Sequence, residues 1–136
     1  MLDESTEPTA DLLELSRRLL DVIDAGDWDA YAELCDPTLT AYEPEAVGRL
    51  VAGMEFHRFY FDGARRPARQ QSTISSADVR LMGDVAVVAY VRLVQRAEAD
   101  GSPVTIAFEE TRVWRRCDGE WRHVHFHRSP AGRWPT

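Results

Sequence analysis

Three glycine-containing pairs, Gly83-Asp84, Asp100-Gly101 and Asp118-Gly119, cut residues 72–129 into four strand-like runs. The runs are "STISSADVRLM", "DVAVVAYVRLVQRAE", "PVTIAFEETRVWRR" and "EWRHVHFHRS". Asp-Gly and Gly-Asp between β-prone segments are strong hairpin signals, because tight hairpin turns need residues that tolerate positive φ. The second half is therefore predicted to be an antiparallel meander. The first half has a different period. From Thr9 to Ala25, Leu12, Leu15, Leu19, Val22 and Ile23 recur at helical spacing, with Leu13 and Leu20 beside them. Pro8 or Thr9 can open this helix and Gly26 can close it. Asp27 caps a second short helix, "DWDAYAELCD", which Pro37 ends; "LTAY" alternates as a short strand. In "GMEFHRFYFDG", Phe56, Phe59 and Tyr60 are expected on one helical face. Helices followed by a long meander make an α+β fold: a long N-terminal helix and short helices packed on a curved antiparallel sheet. Such a cone leaves a pocket between helix and sheet. One domain is expected over residues 8–130, with loose tails at 1–7 and 131–136.

Composition narrows the function. The chain carries sixteen arginines, no lysine and a net charge of -7. Residues 1–45 hold thirteen acids and two arginines, and residues 46–136 hold ten acids and fourteen arginines. An acidic protein without a basic stripe is a poor nucleic-acid binder. No apolar run approaches the ~20 residues that span a bilayer, and no basic-then-apolar leader is present, so a cytoplasmic protein is expected. Cys35 and Cys117 match no metal-binding spacing and read as ordinary thiols. An acidic front and a basic back can attract each other between subunits.

The arginines in the strands are the unusual feature. Strand side chains alternate between faces. On the second run Val88, Tyr90, Arg92 and Val94 share a face; on the third, Ile106, Phe108, Glu110, Arg112 and Trp114; on the fourth, Val124, Phe126 and Arg128. The opposite face of the second run, Val87, Ala89, Val91 and Leu93, is also apolar, so Arg92 is expected to be enclosed. An enclosed arginine stays charged and costs several kcal/mol to desolvate unless paired. Glu110 can neutralise one arginine, and the remaining positive charge suits a carboxylate bound bidentately. A closed network with the protein's own acids is the alternative.

Whether the three faces coincide depends on turn register. A two-residue Asp118-Gly119 turn pairs Cys117 with Glu120 and places Arg112 and Arg128 on opposite faces. A three-residue loop with a bulge at 117–119 pairs Arg116 with Glu120 and brings them together. The pocket requires the second arrangement. His123, His125 and His127 are expected on one strand face with Trp121, away from Arg128, spread over roughly 13 Å and so unsuited to a single metal ion. His57 is expected near the mouth of the cone. Tyr42 and Glu43 can supply acid–base groups, although no paired carboxylates are evident.

Several stretches together, "DAGDWDAYAELCDPTLTAYEPEAVGRLVAGMEFHRFYFDG", "LMGD", "AYVRL" and "EETRVWRRCDGEWRHVHFHRS", resemble the association (hub) domain of calcium/calmodulin-dependent protein kinase II. The resemblance covers about residues 10–130 and implies the nuclear transport factor 2-like cone, in a stand-alone, bacterial-type homologue. It implies self-association into dimers, with a ring of dimers as the larger form. It also implies an arginine-lined pocket for a small carboxylate, formed by Arg92, Arg112 and Arg128 with His57; the strand faces read above add Glu110, Tyr90 and Trp114 as candidate residues beside them. No cofactor and no metal are implied. Neither a Gly-rich phosphate loop nor a basic calmodulin-binding helix stands in the sequence, so kinase activity and calmodulin binding are not expected of it. Arg65 stands where the hubs carry a loop tryptophan, and Tyr42 where they carry phenylalanine. The expected function is a non-catalytic, self-associating domain. The alternative is a small cofactor-free isomerase, cyclase or dehydratase, related to ketosteroid isomerases and polyketide cyclases, with His57 or Tyr42 as acid–base group.

Overall fold

A computed structural model describes residues 6–62 and 69–132. Helix α1 (Thr6–Ala25) ends in a left-handed Gly26, whose N–H meets Ile23 O at 3.1 Å while Asp27 N–H meets Val22 O at 3.1 Å. That is a Schellman motif, and it needs positive φ at Gly26. The Asp27 carboxylate then accepts from Ala30 N at 3.1 Å and starts α2 (Trp28–Leu34). Pro37 does not end a helix: the chain is already extended from Cys35, as strand β1 (Cys35–Tyr42). A 3-10 turn (Pro44–Ala46), strand β2 (Val51–Ala52) and a 3-10 helix (Glu55–Phe61) follow. The four long strands are β3 (Gln70–Met82), β4 (Val85–Ala97), β5 (Pro103–Cys117) and β6 (Glu120–Pro130).

One six-stranded sheet results, in the order β2-β1-β6-β5-β4-β3. The expected antiparallel meander accounts for β3 to β6, but β1 joins β6 in parallel. Helix α1 packs across β3 and β4. Its buried stripe runs Leu12, Ser16, Leu20 and Asp24, with Leu19 alongside, so two polar residues lie on the face expected to be apolar. The spacing of four was visible in the sequence. Ser16 accepts the Trp114 indole N–H at 3.2 Å, which lets the largest core side chain be wholly enclosed. The expected tails fall largely outside the described residues, except that Thr6 and Glu7 belong to α1 and the Ala131 N–H meets Ala107 O at 2.9 Å. Arg65 is also outside them.

The β5–β6 hairpin decides which side chains meet. Asp118 and Gly119 have φ of 52° and 78°, and Cys117 pairs with Glu120: the turn has two residues. This corrects the expected bulged loop at 117–119. The extra residue lies further along β6. Trp114 pairs with His123 and Val113 with His125, which leaves Val124 unopposed. From there the faces are reset, with Arg112 opposite Phe126 and Glu110 opposite Arg128. The same bulge splits the histidines. His123 turns inward and is fully buried, while His125 and His127 stay on the outer face against Tyr42. The expectation of three histidines on one face fails for this reason. A second bulge, at Ser76–Ala77 of β3, adds bend to the sheet. The outer face of β4 is also less covered than expected: Val85, Val87, Ala89, Val91 and Leu93 are half-buried.

Candidate functional site

Between the sheet and the segments that precede β3 lies a cavity of about 250 Å3. Arg92, Arg112, Arg128 and His57 all line it, as do Tyr31, Glu43, Glu45, Tyr60, Phe108 and Phe126. The three arginines come from successive strands, β4, β5 and β6, and reach one space because the Val124 bulge restores the parity of β6. Three other sequence-predicted residues stand behind the wall. Tyr90 and Glu110 are buried partners of the arginines, and Trp114 sits in the core under α1. Tyr42 is a correction. It is 44% exposed on the outer side of β1, because Leu39 and Ala41 take the inward positions.

The floor is a closed network. Arg112 is 1% exposed; it donates from Nε to the Tyr90 hydroxyl at 2.7 Å and from Nη2 to Glu110 Oε1 at 3.0 Å. Its Cζ lies 4.7 Å from the Phe126 ring centroid, and its Nη1 is 3.4 Å from His123 Nε2. Arg92 donates to Ser72 Oγ at 2.8 Å, to Asp24 Oδ1 at 2.9 Å and to Glu110 Oε2 at 3.4 Å. Burial raises the Glu110 pKa, but the Arg112 and Arg92 charges outweigh it and hold the carboxyl below its usual range. His123, buried beside Arg112, is held well below the ordinary imidazole value by burial first and that charge second. Cys35, 3.5 Å from His123 Nδ1, is pushed up to about 12 by burial, so the two make a neutral pair rather than an activated thiolate.

The mouth is more open. Arg128 donates to Glu45 on the 3-10 turn and to the Tyr60 hydroxyl at 3.2 Å, and its Cζ lies 4.8 Å from the Phe108 ring centroid. The side chains of Arg128 and Glu45 are 11% and 37% exposed. Burial raises the Glu45 pKa, yet Arg128 holds it below the usual carboxylate range. The unspent positive charge inferred from the sequence is therefore absent: Asp24, Glu43, Glu45 and Glu110 stand among the three arginines. Asp24 and Glu45 come from elements whose approach no strand pattern reveals.

A carboxylate–histidine pair completes the wall. His57 Nε2 lies 3.2 Å from Glu43 Oε2, and the Tyr60 hydroxyl donates to Glu43 Oε1 at 2.5 Å. Both Glu43 and His57 are buried. His57 and Tyr60 stack, with ring centroids 6.4 Å apart and planes at 19°, because a 3-10 helix has three residues per turn and eclipses positions i and i+3. An α-helical reading of this segment grouped Phe56, Phe59 and Tyr60 and missed that alignment. Among the described residues no group of three or more His, Cys, Asp or Glu is placed to hold a metal ion, and no helix is long and apolar enough to cross a membrane.

Residues 8–132 match the family described as the calcium/calmodulin dependent protein kinase II association domain. The delta subunit of calcium/calmodulin-dependent protein kinase type II from Oryctolagus cuniculus is 48% identical over 122 residues, which are 88% of this chain and 23% of that protein. The chain thus spans under a quarter of that relative's length. The association domain of the C. elegans kinase is 41% identical with a TM-score of 0.88, covering 94% of this chain and 99% of that one. A nuclear transport factor 2-like superfamily protein from Salmonella enterica is 19% identical with a TM-score of 0.80, covering 95% and 94%; at that identity the likeness is one of fold.

Proposed function

The chain belongs to the calcium/calmodulin-dependent protein kinase II association-domain family, and from that premise we propose a self-associating domain whose cavity accepts a small carboxylate at Arg128. The observation that carries the ligand is Glu45. The mouth arginine is already paired with a carboxylate, held on a three-residue turn and partly exposed. A small acid replacing Glu45 leaves the charge count of the arginine unchanged, so the exchange avoids the cost of stranding a buried charge. Arg112 and Arg92 take no ligand directly in this reading; they hold the floor. Self-association is supported by the half-buried valines and Leu93 on the outer face of β4, an apolar surface that a second copy can cover.

Thermal unfolding with added acetate, pyruvate or succinate tests the ligand. Binding at a hundred times the dissociation constant adds roughly 2.7 kcal/mol of stability. Arg128→Ala is expected to remove that increment while keeping the fold. No shift with any of the three acids in the wild type overturns the carboxylate reading. Light scattering tests assembly, for which a monomeric mass overturns the other half.

A further inference from the structure

Resting on the carboxylate reading, we propose that the cavity takes a dicarboxylate whose second acid group sits on Arg96. Arg92, Arg112 and Arg128 are each matched by buried or rim carboxylates. Arg96 lines the same cavity and is not. Among the described residues its one ionic partner is Glu98, at 3.8 Å, and it donates no hydrogen bond. The two side chains are 37% and 47% exposed. An ion pair so long and so wet contributes little, and a ligand can replace it without stranding a charge.

Strand alternation explains why Arg96 is there. Tyr90, Arg92, Val94 and Arg96 take alternate positions on β4; the first three are buried, and Arg96 emerges near the strand's end. It pairs in register with Gln70 of β3, which also lines the cavity and donates to Asp24 Oδ1 at 2.7 Å. Across β5, Arg96 stands opposite Val104 and Arg128 opposite Glu110. At about 3.3 Å per residue, those rows are roughly 20 Å apart along the strands before sheet curvature shortens the span. The two arginines are therefore rooted at different ends of the cavity. Its lining also holds Ile23, Val94 and Phe108, apolar side chains that suit methylene groups. A monocarboxylate on Arg128 leaves Arg96 to water, whereas an acid group at each end of an aliphatic spacer matches both. The cavity of about 250 Å3 takes about eight water-sized groups at roughly 30 Å3 each, roughly a four- or five-carbon dicarboxylate. Arg96 and Gln70 also border a wider outer groove, so the second acid group stays in touch with solvent. Arg96 is thus a specificity-determining residue, which selects for charge at the far end of the ligand.

Isothermal titration of the full chain with glutarate and with its monoamide tests this. The two acids have the same length and shape and differ by one negative charge. Glutarate is expected to bind roughly fivefold tighter, the equivalent of about 1 kcal/mol for a partly exposed ion pair. In Arg96→Gln that preference is expected to vanish. In Glu98→Gln, which removes the competing carboxylate, it is expected to grow. The wild-type comparison needs no variant: equal binding of the two acids overturns the second acid site and leaves the Arg128 reading standing. A preference for glutarate that survives Arg96→Gln overturns the role of Arg96. Binding of neither acid overturns both readings.

Discussion

Arg112 and Arg128 occupy the same inner face two strand positions apart in register, yet they do different work. Arg112 is locked on its donors by Tyr90 and Glu110, with His123 and Phe126 packed against it. Arg128 holds a carboxylate that rides on an exposed turn. The difference is burial. A guanidinium with 1% exposure has to be matched permanently, because an unpaired charge there costs several kcal/mol, whereas one at the rim can change partners at little cost. A sequence pattern that treats three strand arginines as equivalent misses this division.

The largest test strikes the floor. Arg112→Ala leaves Glu110 buried without its main partner and is expected to cost about 3–5 kcal/mol in urea unfolding. The same substitution, read from sequence alone, is expected to abolish binding without harming the fold. A loss below ~1 kcal/mol shows that floor and mouth are alike after all.

A smaller effect comes from pH. The folded state depresses the His123 pKa, so below the unfolded value of about 6.5 the unfolded chain takes up a proton that the folded chain refuses. Stability from this group is complete above that value and is lost as pH falls toward the folded pKa. Glu110 and Glu45, also depressed, add their loss below about pH 4.3. Chemical unfolding from pH 7.5 down to 5 is expected to show the decline, and His123→Leu to reduce it; the remainder comes from His125, which partial burial first and His127 second also hold below the ordinary imidazole value.

The smallest test sharpens the mouth. Glu45→Gln removes the internal competitor for Arg128 and is expected to tighten acetate or pyruvate binding roughly two- to fivefold, the equivalent of a partly exposed ion pair of about 0.5–1 kcal/mol. Isothermal titration checks it. Unchanged or weaker binding removes Glu45 as a stand-in for ligand.

Much of this was legible before any coordinates. The Asp-Gly and Gly-Asp pairs marked the hairpins, and period two grouped Arg92 with Tyr90, Arg112 with Trp114 and Arg128 with Phe126. The resemblance to a known domain family rested on contiguous motifs and held over residues 8–132. Asp24 was within reach too, since Leu12, Ser16, Leu20 and Asp24 form one row at a spacing of four. Glu45 and Tyr60 were not, and Glu43 was named for its acid–base chemistry but not for its place beside His57. They approach the arginines from irregular and 3-10 segments, where period carries no information about direction.

What the chain by itself determined is which side chains share a face where a strand runs regularly, because alternation is a local property of extended backbone; across the bulge at Val124 it did not hold, and His123 parted from His125 and His127. It also required one unpaired residue somewhere between the Asp118-Gly119 turn and Arg128 if the arginines were to meet. Only the tertiary structure chose Val124 for that residue and so turned His123 inward, beside Trp114 and Cys35. A one-residue bulge at either place gives Arg128 the same facing, so parity cannot tell the two apart. Packing can, since each choice buries a different side chain.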